Sequence, residues 1–325
     1  MKQIKGSRST PTPSALISVA ALSLCLLLPL RVFHVSTLIE PKTGFFEKSH
    51  WTVWTFYLLA AAVVVFLMAA SFMNSRINRV RDCMTRSKPL GVVSLVTGVT
   101  VAFDAVAEML QYLELSANYN PYSDASRFSY LTKNGGTALL FGAIFAAFSA
   151  AFFWIYAFSC FNKSIRMRSF RLLSAAPVVW SICRIIARFV TKISFINVSD
   201  LLLELFMLVF LISFTLAFAQ VVTNVTPEIC AWRLFGCGLP AALLAFVVSV
   251  PRLMMLALFH TDRLVEGHGF APCDLMLAVF IPVFLYFSTT AVKKRELKER
   301  AEQPAQEQPE QEQPEQTADE SADKE

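Results

Sequence analysis

The stretch LLSAAPVVWSICRIIARFV, residues 172–190, is long enough to cross a bilayer yet carries Arg184 and Arg188. At the centre of a membrane helix each arginine costs about 2.5–3.5 kcal/mol, and about a dozen apolar residues at about 0.3–0.6 kcal/mol each return a similar sum. Alone, the segment is marginal. Leaving it out, however, flips every later loop and puts the basic run KKRELKER (293–300) on the wrong side. Counted as a span, it restores a consistent charge pattern and must lean on a partner helix that carries its arginines.

The rest of the chain supports that reading. It has 325 residues, 55% hydrophobic and only 16% charged, with a mean hydropathy of +0.52. A soluble domain of this size needs far more charge to cover its surface, so the class is membrane. Hydrocarbon about 30 Å thick calls for about 20 apolar residues per helix. Stretches near 14–38, 51–73, 90–114, 135–161, 172–191, 200–223, 234–259 and 274–292 meet that length. Lipid cannot satisfy an open backbone, so all are expected to be helical.

Orientation follows from lysine and arginine. The runs SRINRVRDCMTRSK (75–88) and NKSIRMRSFR (162–171) are strongly basic, as are the amino-terminal Lys2, Lys5 and Arg8. The alternate connections 39–50, 115–134, 192–199 and 260–273 hold one or two basic residues each. Both termini are therefore expected in the cytoplasm. The first apolar stretch lacks a small-x-small cleavage pattern and reads as an uncleaved span rather than a removed signal. Three regions follow: a cytoplasmic segment 1–13, a transmembrane domain 14–292, and a basic juxtamembrane segment with an acidic Gln/Glu/Pro-rich tail, 293–325. That tail has nothing to bury and is expected to be disordered.

The spans group into four hairpins. Arg31, Asp104, Arg184 and Arg252 lie near the outer end of each first helix, spaced 73, 80 and 68 residues apart. Parallel repetition and mere similarity of hairpin size both fit that spacing.

Asp104 and Glu108 are four residues apart and share one helical face. Arg184 and Arg188 form the same ladder in the fifth span. At 1.5 Å per residue, Asp104 lies roughly 21 Å up its helix and Arg184 roughly 18 Å, with Glu108 at roughly 27 Å and Arg188 at roughly 24 Å. Matching depths predict Asp104 with Arg184 and Glu108 with Arg188, the third and fifth spans face to face. Arg31, Glu204 and Arg252 lie at comparable height, with His34 one turn above Arg31. This network of four arginines against three carboxylates carries one excess positive charge. Charges inside a bilayer are functional by default, and the arginine fork suits carboxylate or phosphate. The same charges can also simply specify helix neighbours, and Arg31 and Arg252 can snorkel outward.

Other features read as architecture or surface. Gly142, Ala146 and Ala150 make a small-residue packing face. Tyr112, Tyr119, Tyr122 and Tyr130 suit an interfacial anchor over the cluster. His260, Asp262, Glu266, His268 and Cys273 match no metal spacing, and the seven cysteines read as small apolar residues rather than a disulfide framework or zinc site. Asn197 and Asn224 open glycosylation patterns of low specificity. No catalytic, metal or nucleotide motif occurs, so neither an enzyme nor a cofactor is expected.

The expectation is an all-α polytopic bundle of about eight transmembrane helices, multi-pass in the plasma membrane. Its function is expected to be transport or binding of a small anionic or zwitterionic solute at Arg31, Asp104, Glu108, Arg184, Arg188, Glu204 and Arg252. The competing expectation is a structural or signalling component whose charges only set helix packing. Expected partners are the lipid bilayer, the solute and proteins recruited by the tail, with no nucleic acid.

Overall fold

The computed structural model describes residues 12–40, 46, 50–73, 87–119, 126–162, 165–190, 198–223, 227–258 and 270–302. The tail beyond Glu302, most of the first basic connection, Tyr122, Asn197, Asn224 and the His260–His268 loop lie outside them.

The described chain is helical: α1 (Pro13–Phe33, continued by a π turn His34–Leu38), α2 (Trp51–Met73), α3 (Lys88–Ala117), short α4 (Arg127–Lys133), α5 (Gly136–Phe161), α6 (Ala176–Val190), α7 (Val198–Thr223), α8 (Pro227–Ala257) and α9 (Pro272–Glu302). Among the described residues, eight helical segments are long and apolar enough to cross a membrane, with bounds within a few residues of those expected. The connection 115–134 is partly helical: α3 continues to Ala117, and Ser126 caps α4 by accepting from the Ser129 N–H.

Helix α8 is central, buried along almost its whole length, while α1 and α2 are mostly outward-facing. It packs on α1, α2, α7 and α9, and a ring runs from α8 through α9, α3, α5, α6 and α7 back to α8. The partners expected in each hairpin (α1/α2, α3/α5, α6/α7, α8/α9) all pack together. Aromatic side chains fill the ring. Phe280 of α9 meets Phe153 of α5 and Phe218 of α7 edge to face, with centroids 5.3 and 5.4 Å apart, and Phe284 stacks on Phe280 while meeting Phe218 edge to face at 4.9 Å.

Small residues let helices approach closely. The Gly142, Ala146 and Ala150 face is buried against α3, and Ser94 of α3 donates to the Phe153 carbonyl at 2.8 Å. On α8, a Cβ at Gly238 would sit 2.8 Å from Phe214 and 3.2 Å from Ile281, whereas one at Gly236 finds its nearest atom at 3.4 Å. Gly238→Ala is therefore expected to lose about 1–3 kcal/mol by overpacking. Gly236→Ala should be neutral or gain up to about 1 kcal/mol from helix propensity. Thermal unfolding of both variants in one detergent checks the contrast.

The third and fifth spans, α3 and α6, are not packed face to face as expected: both pack on α5, and α3 also packs on α9. Equal depth gives height along the bundle, not direction around it.

Candidate functional site

Six helices bring charged side chains to one end of the bundle, α1, α3, α6 and α8 from their carboxyl-terminal halves and α7 and α9 from their amino-terminal turns. Helix dipoles favour cations at the former and anions at the latter. The sequence follows that rule, with Arg31 and Arg188 in the last turns of α1 and α6 and Asp200 and Asp274 in the first turns of α7 and α9.

Arg184 makes a two-armed contact with Asp274, Nη1 to Oδ1 at 2.6 Å and Nη2 to Oδ2 at 2.9 Å, with both side chains buried. Its guanidinium lies 5.3 Å from the Trp180 ring, one turn back on the same helix. Arg188 donates from Nε to Glu204 Oε1 at 2.9 Å and holds the same oxygen with Nη2 at 2.7 Å. Arg252 divides one nitrogen between Asp200 Oδ2 and Glu204 Oε2, each at 3.3 Å. Arg31 pairs with the other oxygen of Asp200. The result is an alternating ladder, Arg31–Asp200–Arg252–Glu204–Arg188, joining α1, α7, α8 and α6.

The expected pairings are thus both replaced. Arg184 goes to Asp274 rather than Asp104, and Arg188 to Glu204 rather than Glu108. Sequence reasoning missed Asp200 and Asp274 because each sits at the edge of an apolar stretch, where a charge reads as solvated. Their placement in the first turns of descending helices, level with the last turns of ascending ones, was the available signal.

The charge balance reverses as well. With Asp200 and Asp274 included, five carboxylates face four arginines. Asp104 and Glu108 remain. Among the described residues neither is within ion-pair distance of a cation, and Asp104 Oδ2 and Glu108 Oε2 are buried without a hydrogen-bond partner. Asp104 lies near Cys273, Asp274 and Arg184. Glu108 sits against α5, where a Cβ on Gly142 would meet its Oε2 at 2.5 Å. A buried carboxylate oxygen without a partner is costly, and among the described residues these two acids supply the only ones.

His34 is buried above Arg31, its Nε2 3.3 Å from the Thr52 hydroxyl, which also meets His50 Nδ1 at 2.8 Å. Tyr119 and Tyr130 form a ring pair at 5.5 Å where α4 joins α3 and α5. Compared with protein-family models, with curated proteins and with solved structures, the chain finds no match.

Proposed function

We propose that this multi-pass membrane protein binds a small zwitterionic solute at the charged end of its bundle. In this reading both termini are cytoplasmic, the site lies in the outer half of the plasma membrane, and the solute is carried across or sensed there. The carrying observation is the pair of buried, unpaired carboxylate oxygens on Asp104 and Glu108 beside arginines that are already neutralised.

A purely anionic solute brings no cation to Asp104 and Glu108 and adds a further negative charge to a cluster of five carboxylates and four arginines. A zwitterion adds no net charge. Its ammonium satisfies Asp104 and Glu108, and its anionic group meets Arg188, which at 31% exposure is far more open than Arg31, Arg184 or Arg252. The ladder from Arg31 to Arg188 supports the structural reading for those residues, since every rung is occupied and four helices depend on it. The acidic tail, by composition, would serve partner proteins on the cytoplasmic side.

Full-length protein in nanodiscs, heated with millimolar glycine or other neutral amino acids, tests this. Acetate and methylammonium serve as single-charge controls. The unfolding midpoint should rise with the zwitterion, since ligand at about 100 times Kd adds about 2.7 kcal/mol. That rise should vanish in Asp104→Asn and Glu108→Gln. Without ligand, neither variant should be less stable than the parent, because each removes an unpaired buried acid. Gly142→Ala should weaken binding while the fold persists, since only the end of the flexible Glu108 side chain must move. An unchanged rise in both acid variants, or a full rise with acetate alone, would contradict the proposal.

A further inference from the structure

Arg31, Arg184, Arg188 and Arg252 are each paired with a carboxylate, whereas arginines described at the opposite end of the bundle are not. Arg166, Arg168 and Arg171 precede α6 on a segment of short helical turns, Met167–Phe170 and Leu173–Ala175. All three are exposed, and among the described residues none of them makes an ion pair. The segment is nonetheless fixed. Met167 is buried, the first turn packs on α7, and the buried Ser174 hydroxyl donates to the Arg171 carbonyl at 2.6 Å.

Two hollows adjoin this segment and share Ala175 and Val179. One, of about 250 Å³ between α6 and α7, is lined by Arg171, Ser174, Gln220 and Thr223 together with Val178 and Leu216. The other, of about 530 Å³, is an apolar groove walled by Phe145, Phe148, Phe170 and Leu173 against α5. At its rim Leu172 is 91% exposed, an arrangement suited to acyl chains rather than water.

We infer that this end holds an anionic phospholipid, its phosphate on Arg171 with Arg168 beside it and one acyl chain crossing Ala175 and Val179 into the phenylalanine-lined groove. Charge complementarity selects the lipid. Three unpaired guanidiniums stand at the end that the charge pattern assigns to the cytoplasm, where the leaflet is negatively charged. Arginine's fork matches a phosphate diester, and the groove supplies what a free phosphate could not use. The inference is independent of the solute proposed above, whose residues lie at the other end.

The test titrates full-length protein in neutral detergent with phosphatidylglycerol or phosphatidylcholine of identical chains and follows thermal unfolding. Phosphatidylglycerol should raise the midpoint at lower concentration. Arg168→Gln and Arg171→Gln should each weaken its apparent affinity about fivefold, from the usual value of one basic residue near an anionic surface. Both side chains are exposed, so the variants should unfold like the parent in detergent alone. High salt should shrink the difference between lipids, and Val179→Trp, which narrows the groove, should weaken both. Equal midpoints with the two lipids overturn the inference even if every variant misfolds. So does an undiminished phosphatidylglycerol effect in the double variant, or inorganic phosphate alone matching the lipid.

Discussion

Arg184→Ala is expected to cost about 3–5 kcal/mol of stability, the range for removing one partner of a buried ion pair. The change strands Asp274, which is only 2% exposed and loses both of its short contacts at once. It also removes the cation stacked on Trp180, leaving that ring against a void. Asp274→Ala should cost as much, for the mirrored reason. Arg184→Lys should fall between, because an ammonium keeps the charge but cannot present two parallel donors to one carboxylate. Thermal unfolding in a fixed detergent reads all three. A parental midpoint in Arg184→Ala would mean that the pair is not formed in the folded protein.

Glu204→Ala is the second large effect, again about 3–5 kcal/mol. Glu204 is fully buried and accepts from Arg188 with one oxygen and Arg252 with the other. Its loss leaves Arg252 with Asp200 alone, and Asp200 is already shared with Arg31. Asp200→Asn should be milder, since Asp200 is 14% exposed and Arg252 keeps Glu204. Glu204→Gln should lie between, because the amide oxygen still accepts one hydrogen bond. The order expected in unfolding midpoints is therefore parent, Asp200→Asn, Glu204→Gln, Glu204→Ala.

The spans were legible because apolar run length is a one-dimensional property. The stretch 14–38 became Pro13–Leu38, and 200–223 became Asp200–Thr223. The marginal span 172–191 relies on partner helices, as its two arginines require, α9 through Asp274 and α7 through Glu204. The packing face at Gly142, Ala146 and Ala150 was readable for the same local reason. Pairing was not. Depth counted from the start of each helix places Asp104 level with Arg184, but nothing in one sequence says that both helices pack on α5 rather than face to face. The true partners were overlooked because a charge at a span edge is ordinarily solvated, and here those edges dock into the carboxyl ends of neighbouring helices. Once Asp200 and Asp274 join the network, the surplus charge changes sign, which is why, of the two solute classes expected, anionic or zwitterionic, the zwitterion is the one proposed.

Helix α9, not α3, neutralises Arg184, which leaves Asp104 Oδ2 and Glu108 Oε2 without a partner. Charge-exchange cycles on thermal unfolding address this pairing most directly, comparing Arg184→Asp combined with Asp274→Arg against Arg184→Asp combined with Asp104→Arg. The first exchange should recover much of the stability that either of its single changes loses, and the second should recover little. Recovery through Asp104 but not through Asp274 would contradict the arrangement.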